Sequence, residues 1–241
     1  MMSQTLKEII QNSRRIVFFG GAGVSTESNI PDFRSDQGIY QEKKYRFPPE
    51  TMLSHSFFLR YPQEFYDFYF DKMIYPNAKP NPAHFALARL EQQGKLTAVI
   101  TQNIDGLHQA AGSRKVLELH GSVLRNSCMN CGKAYSLADM MARKGSVPTC
   151  SCGGIIKPDV VLYEEGLDQA VLEEAIWHIH NADCMIVGGT SLAVYPAAGL
   201  IRYFRGNKLI LINKTATSYD SDADLILREP IGKVLAEAVE S

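Results

Sequence analysis

Four cysteines stand in two close pairs, Cys128-Met-Asn-Cys131 and Cys150-Ser-Cys152, with eighteen residues between the pairs. Each pair adjoins a glycine, Gly132 or Gly153, that permits a tight turn. Four soft thiolates so spaced suit one tetrahedral zinc ion, with Cys128, Cys131, Cys150 and Cys152 as ligands. The segment is poor in core-forming side chains, so bound metal would supply folding energy that burial does not. With every position filled by protein, such a zinc is structural and leaves no place for a reactive water. The spacing alone also admits a redox pair or free thiols. Cys184 falls in an apolar run and reads as a small core residue.

A second set of chemistry-bearing residues follows apolar runs. Ile16–Phe19 leads into Gly20, Gly21, Ala22, Gly23 and Ser25, a small-residue loop whose backbone N–H groups could approach a pyrophosphate. It lacks both the third glycine of a dinucleotide fingerprint and a Gly-Lys-Ser/Thr ending. Asp32, Phe33 and Arg34 then add a carboxylate, an aromatic plate and a guanidinium, more than a turn requires. Thr101-Gln-Asn-Ile-Asp105 carries amide and carboxylate side chains suited to a carboxamide and a ribose. Glu118-Leu-His120-Gly121 ends another run, where an imidazole would serve as a base. Taken singly, each residue could equally be a helix cap or a loop hydrogen bond. We take His55, His84, His108, His178 and His180 in that way.

Such residues need a frame that gathers strand ends. Apolar runs at Ile16–Phe19, Leu96–Ile100, Val116–Leu119, Val160–Leu162, Met185–Val187 and Leu209–Ile212 read as strands. Pro82–Gln92, Gln169–His180 and Pro196–Phe204 carry helical periodicity between them. The alternation predicts an α/β fold, a parallel sheet with helices on both faces and ligands beyond the carboxyl ends of its strands. Five of the runs end in polar or glycine-rich residues, which would line one crevice. Two stretches interrupt the pattern: residues 36–80, rich in aromatics, with a helix opened by Pro62 and running through Tyr75, and residues 124–157, which hold the cysteines. We read 36–80 as a helical module and 124–157 as a zinc module, together a small domain. The large domain is then discontinuous, made of 1–35, 81–123 and 158–241.

At 241 residues the chain can bury a full core. Its 25 basic and 26 acidic side chains leave a net charge of −1, without the concentrated basic surface that nucleic-acid binding by counterion release requires. No direct nucleic-acid partner is expected. Leu6, Ile9 and Ile10 sit at helical spacing among polar residues, unlike the apolar core of a secretory signal. No apolar run approaches the roughly 20 residues that cross a bilayer. A cytoplasmic protein with no membrane partner is expected.

Gly21-Ala-Gly-Val-Ser25, Ile30-Pro-Asp-Phe-Arg34, Thr101-Gln-Asn-Ile-Asp105, Leu119-His-Gly121, the four cysteines, Gly189-Thr-Ser-Leu192 with Val194 and Pro196, and Ile212-Asn213 stand in the order found in sirtuins, the NAD-dependent protein lysine deacylases. The chain resembles that family over residues 16–213. The resemblance implies a Rossmann-type NAD-binding domain, a small domain of zinc and helical modules, and a cleft that NAD and acetyl-lysine enter from opposite sides. It implies a pyrophosphate near Gly21, Ala22, Gly23, Ser25 and Thr26, with Asp32, Phe33 and Arg34 on the segment that closes over the nicotinamide ribose. Gln102, Asn103, Ile104 and Asp105 would bind ribose and nicotinamide. Gly189, Thr190, Ser191, Asn213 and Lys214 would line the adenosine half, and Ile231 would touch adenine. Val160, Val161, Leu162, Tyr163 and Glu164 match the substrate-binding stretch. His120 takes the role of general base on a ribose hydroxyl, with Asn103 and Asp105 as further catalytic residues. Nicotinamide leaves and the acetyl group passes to ADP-ribose, so NAD is consumed and one structural zinc is the bound metal. The resemblance thus points to a bacterial deacetylase, monomeric, acting on acetylated lysine in proteins or peptides.

Asn29 stands where the family often has glycine, and Asn also tolerates positive φ. Glu164 replaces another glycine and adds a carboxylate that would favour basic flanks in a peptide. Members that remove succinyl groups resemble one another in a Tyr-x-x-Arg pair, whereas the matching helix here reads Tyr66-Asp-Phe-Tyr69. Without a fixed cation a buried carboxylate goes unpaired at a cost of several kcal/mol, roughly, so desuccinylation is not expected. Three rival readings account for parts of the pattern: ADP-ribosyl transfer to a protein side chain, hydride transfer on a Rossmann frame, and a zinc-ribbon adaptor. The first differs by consuming NAD without an acyl substrate. The second would need a full dinucleotide fingerprint, and the third leaves the strand-end residues without a purpose.

Overall fold

The computed structural model describes residues 2–33, 38–39 and 45–239. From the N-terminus the chain forms α1 (Met2–Asn12) and β1 (Ile16–Gly20), then two short 3-10 turns at Ala22–Val24 and Thr26–Ser28. Helices α2 (Pro49–Met52), α3 (His55–Arg60), α4 (Pro62–Lys72) and α5 (Pro82–Gln92) follow, then β2 (Leu96–Thr101), α6 (Leu107–Ala110) and β3 (Val116–Glu118). Next come β4 (Gly121–Cys128), β5 (Ala134–Ser136), α7 (Leu137–Met141) and β6 (Ile156–Val160). The chain ends with α8 (Gln169–His180), β7 (Cys184–Gly188), a 3-10 stretch over Ala197–Tyr203, β8 (Lys208–Ile212), β9 (Leu225–Leu227) and α9 (Ile231–Val239).

Six strands make one parallel sheet in the order β3-β2-β1-β7-β8-β9. Its central strands are buried on both faces, which is why they read as unbroken apolar runs. Alternate side chains divide between two cores. Ile16 and Phe18 pack with α1, α5 and α9, while Val17 and Phe19 pack with α8 and the 3-10 stretch. Helix boundaries follow local chemistry. Asn81 caps α5 through the Ala83 N–H, Pro82 fills the first helical position, and Asp168 caps α8 through the Val171 N–H.

The second sheet is antiparallel, in the order β5-β4-β6. It shares a core with the aromatic helices: Phe57, Phe58, Phe65, Tyr66, Phe68, Tyr69 and Phe70 pack with Val123, Ile156 and Leu162. The Tyr66 hydroxyl donates to the Ile156 carbonyl at 2.5 Å, joining α4 to β6.

Three expectations are corrected. Val160–Leu162 is not a strand of the parallel sheet. The strand there is Ile156–Val160, whose alternating burial marks a half-covered antiparallel strand paired with β4, and an apolar run cannot tell the two cases apart. Helix α4 stops at Lys72 rather than Tyr75, and Pro196–Phe204 forms 3-10 turns in place of an α-helix. Strand β9 and helix α9 had no anticipated counterpart: the three residues of β9 carry too little periodicity to read, whereas α9 does carry Ile231, Val234, Leu235 and Ala238 at helical spacing. Among the described residues, no helix is long and apolar enough to cross a membrane.

Candidate active site

A cleft of about 860 Å³ opens at the carboxyl ends of the parallel strands, lined by the residues that follow β1, β2, β3, β7 and β8. All five anticipated strand ends meet there. After β1 come Gly21, Ala22, Gly23, Ser25, Thr26, Asp32 and Phe33; after β2 come Gln102, Asn103, Ile104 and Asp105. His120, Gly189, Thr190, Ser191, Asn213, Lys214 and Ile231 complete that side, and Val160, Val161, Leu162, Tyr163 and Glu164 face the cleft from the second sheet. Arg34 lies outside the described residues.

The glycine loop packs against β7's end: Gly21 N–H donates to Gly188 O at 3.3 Å and Gly23 N–H to Gly189 O at 2.8 Å. Val24 and Ser25 N–H groups close their own turns onto Gly21 O and Ala22 O. Among the described residues this leaves the Ala22 and Thr26 N–H groups without a protein acceptor, in a loop with space for an anion. Asn29 ends the second turn at φ +60, the left-handed conformation that asparagine tolerates.

Behind that loop lies a bonded chain of side chains. Asn103 Nδ2 donates to Ser25 Oγ at 3.1 Å, and Ser25 Oγ donates to Asp105 Oδ2 at 2.6 Å. Asp105 Oδ1 accepts from Leu107 N–H, the first N–H of α6, at 2.9 Å. Burial pushes the Asp105 carboxyl above its usual range, against the pull of its Ser25 and Leu107 hydrogen bonds. A second chain crosses the strand ends: Gln102 Nε2 donates to Thr190 Oγ1 at 3.0 Å, while Thr190 and Asn213 exchange two bonds at 3.0 and 2.7 Å.

His120 is half-buried, and its Nδ1 lies 3.0 Å from Gln102 O. A carbonyl only accepts, so Nδ1 carries the proton and Nε2 is the basic nitrogen. Burial lowers its pKa below the ordinary histidine value, with the Gln102 bond opposing, so the ring is neutral near pH 7 and ready to take a proton.

The segment facing this wall is tied to α3. Tyr163 N–H donates to Leu53 O and His55 N–H to Tyr163 O, both at 3.0 Å. Val161 N–H donates to His120 O and Leu162 N–H to a Glu165 oxygen, leaving the Glu164 N–H as the amide of 161–164 without a protein acceptor among the described residues. Glu164 adopts φ +76, and its carboxylate accepts from the Ser56 N–H and hydroxyl at 2.8 and 2.9 Å. The side chain that replaces glycine therefore caps α3 instead of standing free.

The cysteines gather away from the cleft. Sγ atoms of Cys128, Cys131, Cys150 and Cys152 all lie within 4.8 Å of one another, with three separations at 3.4, 3.5 and 3.7 Å. A tetrahedron with zinc–sulfur bonds of about 2.3 Å has sulfur–sulfur edges of about 3.8 Å, so the four thiols fit one zinc. Cys184 is fully buried in β7, as expected for a core residue.

Apolar cleft residues such as Leu53, Met73, Leu107, Val123 and Leu124 carried no sequence signal, nor did Lys72, which lines the cleft from α4. Conversely, Tyr66 and Tyr69 do not line it; both are fully buried in the aromatic core.

A model of the Sir2 family matches residues 21–196. An NAD-dependent protein deacetylase of Clostridium acetobutylicum is 60% identical over 236 residues, 97% of this chain and 96% of that protein. One of Clostridium perfringens is 62% identical over 238 residues, 98% and 97% of the two chains. Among solved structures, a chain from work on the mechanism and regulation of Sir2 enzymes gives a TM-score of 0.90 at 42% identity, covering 99% of this chain and 96% of its own. A Sir2 homologue in complex with NAD gives 0.88 at 38% identity, covering 99% and 93%. With the family model spanning most of the sequence and relatives this similar along its whole length, the chain belongs to the Sir2 family.

Proposed function

We propose that this protein is an NAD-dependent protein lysine deacetylase that transfers the acetyl group of acetyl-lysine to ADP-ribose and releases nicotinamide. The observation that carries the reading is the convergence of a neutral, oriented His120 with the Asn103–Ser25–Asp105 chain in one cleft beside a glycine loop. The activity named for the clostridial relatives supports it, as do Sir2 structures solved with acetylated and propionylated peptides.

In this reading the dinucleotide is a substrate. Its pyrophosphate meets the open Ala22 and Thr26 N–H groups, and Thr190, Ser191, Asn213 and Lys214 border the adenosine half, with Ile231 against adenine. Asp105 and the backbone near Ile104 hold the nicotinamide carboxamide, while Asn103 and Gln102 hold the ribose. Phe33 and Arg34, with Asp32, belong to the segment that covers that ribose. An amide oxygen is a weak nucleophile, so the site's main task is to hold the acetyl oxygen in line with the anomeric carbon as nicotinamide departs. His120 Nε2 then takes the proton of a ribose hydroxyl, for which its lowered pKa keeps it neutral. The peptide lies along Val160–Glu164 and pairs with the Glu164 N–H. The large domain would comprise 1–35, 81–123 and 158–241, with 36–80 and 124–157 as helical and zinc modules. A monomeric, cytoplasmic enzyme without nucleic-acid partners completes the reading, since a reducing compartment keeps the four zinc-ligand thiols available.

Succinyl-lysine is a poor substrate in this reading. Tyr66 and Tyr69 are committed to the aromatic core, and Lys72, the cleft cation on the same helix, is already paired with Asp71 at 3.5 Å. Mass spectrometry of acetyl- and succinyl-lysine peptides, with and without NAD and beside His120→Ala, tests the whole. Acetyl loss that needs NAD, accompanied by acetyl-ADP-ribose and absent in the variant, is the expected result. NAD consumption that ignores the acyl peptide would replace deacetylation by ADP-ribosyl transfer, and succinyl loss at the acetyl rate would overturn the acyl preference.

A further inference from the structure

Two fully buried imidazoles, His84 on α5 and His108 on α6, pack with ring centroids 4.7 Å apart and an interplanar angle of 60°. His84 Nε2 and both nitrogens of His108 have no hydrogen-bond partner among the described residues. Buried polar atoms are as a rule bonded, so three such nitrogens in one contact need a physical account. Neither ring belongs to the cleft's polar chains described above.

The tautomer of His84 is set by its neighbour. Its Nδ1 lies 3.2 Å from the Asn81 N–H, closing the capping box of α5. A backbone N–H only donates, so Nδ1 is the bare nitrogen and the ring proton sits on Nε2. Any neutral tautomer of His108 offers one accepting nitrogen. An imidazole N–H bonded to a second imidazole at about 2.9 Å places the ring centroids about 5 Å apart, close to the separation seen. The bond requires the rings to turn so that His84 Nε2 faces a His108 nitrogen, which their separation allows.

Each ring stands on an element attached to a different side of the site. Asn81, the cap of α5, donates through Nδ2 to Val24 O at 2.8 Å and Ser28 Oγ at 3.0 Å, bracketing the turn that carries Ser25. His108 is the second residue of α6, whose first N–H is held by Asp105, and Asp105 in turn accepts from Ser25. The contacts close a ring through Ser25, Asp105, α6, His108, His84, Asn81 and back to the Ser25 turn.

We propose that His84 Nε2–H donates to a ring nitrogen of His108, and that this neutral pair is a positioning clasp fixing Asn103 and Asp105 against the glycine loop. The consequence for NAD rests on the deacetylase reading; the bond itself does not. A bond between α5 and α6 sets the spacing of the two segments that hold the nicotinamide ribose, without touching substrate. The peptide-facing residues Val160–Glu164 hang on β6 and α3 and are not part of the ring. Loss of the clasp therefore acts on NAD more than on peptide.

The test joins a spectroscopic and a kinetic arm. In the full-length, zinc-loaded, 15N-labelled protein at pH 7.5, long-range proton–nitrogen NMR should find His84 neutral with its proton on Nε2, and that proton slow to exchange and coupled to His108. His108→Phe keeps a ring but no acceptor, and should raise KM for NAD about tenfold, as expected for a displacement of a fraction of an ångström, with peptide KM within about twofold. His108→Asn restores an acceptor and should recover part of the loss. A proton on Nδ1 of His84, or an unchanged NAD KM in folded His108→Phe, overturns the clasp. Should His108→Phe fail to fold, His108→Asn is compared with His108→Ala, and equal NAD KM values in those two overturn it as well. An unmodified protein that does not deacetylate defeats the functional reading instead, and the NMR arm still decides the bond.

Discussion

Adding one methyl group at Gly189 should disturb the site more than its size suggests. Gly189 follows β7 at φ +59, and a Cβ there would lie 2.3 Å from Val24 N and 2.6 Å from Gly23 C. Ordinary contact begins at 3.4 Å, and both obstacles are backbone, so no side chain can swing aside. In a core packed to crystal density the glycine loop would have to retreat by about 1 Å. The left-handed backbone costs an alanine about 1–2 kcal/mol, and overpacking of this kind adds about 1–3 kcal/mol. Gly189→Ala is therefore expected to lose about 2–5 kcal/mol of stability. A shift of about 1 Å in a loop that positions substrate can also lower kcat/KM by on the order of 100-fold. Gly94→Ala is the control: its φ is +72, yet nothing lies within 4 Å of the added Cβ. It should lose only the backbone contribution, about 1–2 kcal/mol, and retain full activity. Urea denaturation and steady-state kinetics with varied NAD measure both effects. Equal losses of stability in the two variants, with kcat/KM for NAD unchanged in both, would refute the packing argument.

Two further outcomes follow from the same structure. Burial lowers the pKa of His84 to about 4 and of His108 to about 3, from an ordinary value of 6.5. The unfolded chain thus takes up protons that the folded chain refuses: stability is flat above pH 6.5 and falls as pH drops from 6.5 toward 4. At about 1.4 kcal/mol per unit, His84 alone withdraws about 3 kcal/mol by pH 4. The raised carboxyl of Asp105 offsets part of this at the acid end of that range. A urea midpoint that stays level or rises between pH 7.5 and 5 would contradict it. Chelation of metal should release the β4-β5-β6 sheet, whose turns are built around the cysteines, while the parallel sheet keeps its own core. Hydrogen exchange should then rise at Ala134–Ser136 and Cys128 but not at Val17–Phe19; a chelator that removes zinc and leaves all of these protected would refute that division.

Local chemistry made part of this legible. Asn81-Pro82 and Asp168 carry their helix starts on their own side chains, so α5 and α8 could be read to the residue. Buried central strands showed as apolar runs, and the polar residues that end them could be recognised as cleft residues before any geometry. Glu164 illustrates the other case. Its type announced an extra carboxylate on the peptide side, but the bond to Ser56, 108 residues away in sequence, turns that charge into a helix cap.

The residue types and their order determined the parallel α/β frame, the zinc-ligand set and the polar strand-end residues of the cleft, because each follows from chemistry carried within a few neighbours in the chain. Tertiary structure alone decided which sheet Val160 joins, that Tyr66 and Tyr69 serve the core and not the cleft, and that His84 meets His108. Those outcomes depend on which surfaces of distant segments are buried against each other, and burial is a property of the packed chain that no local stretch contains.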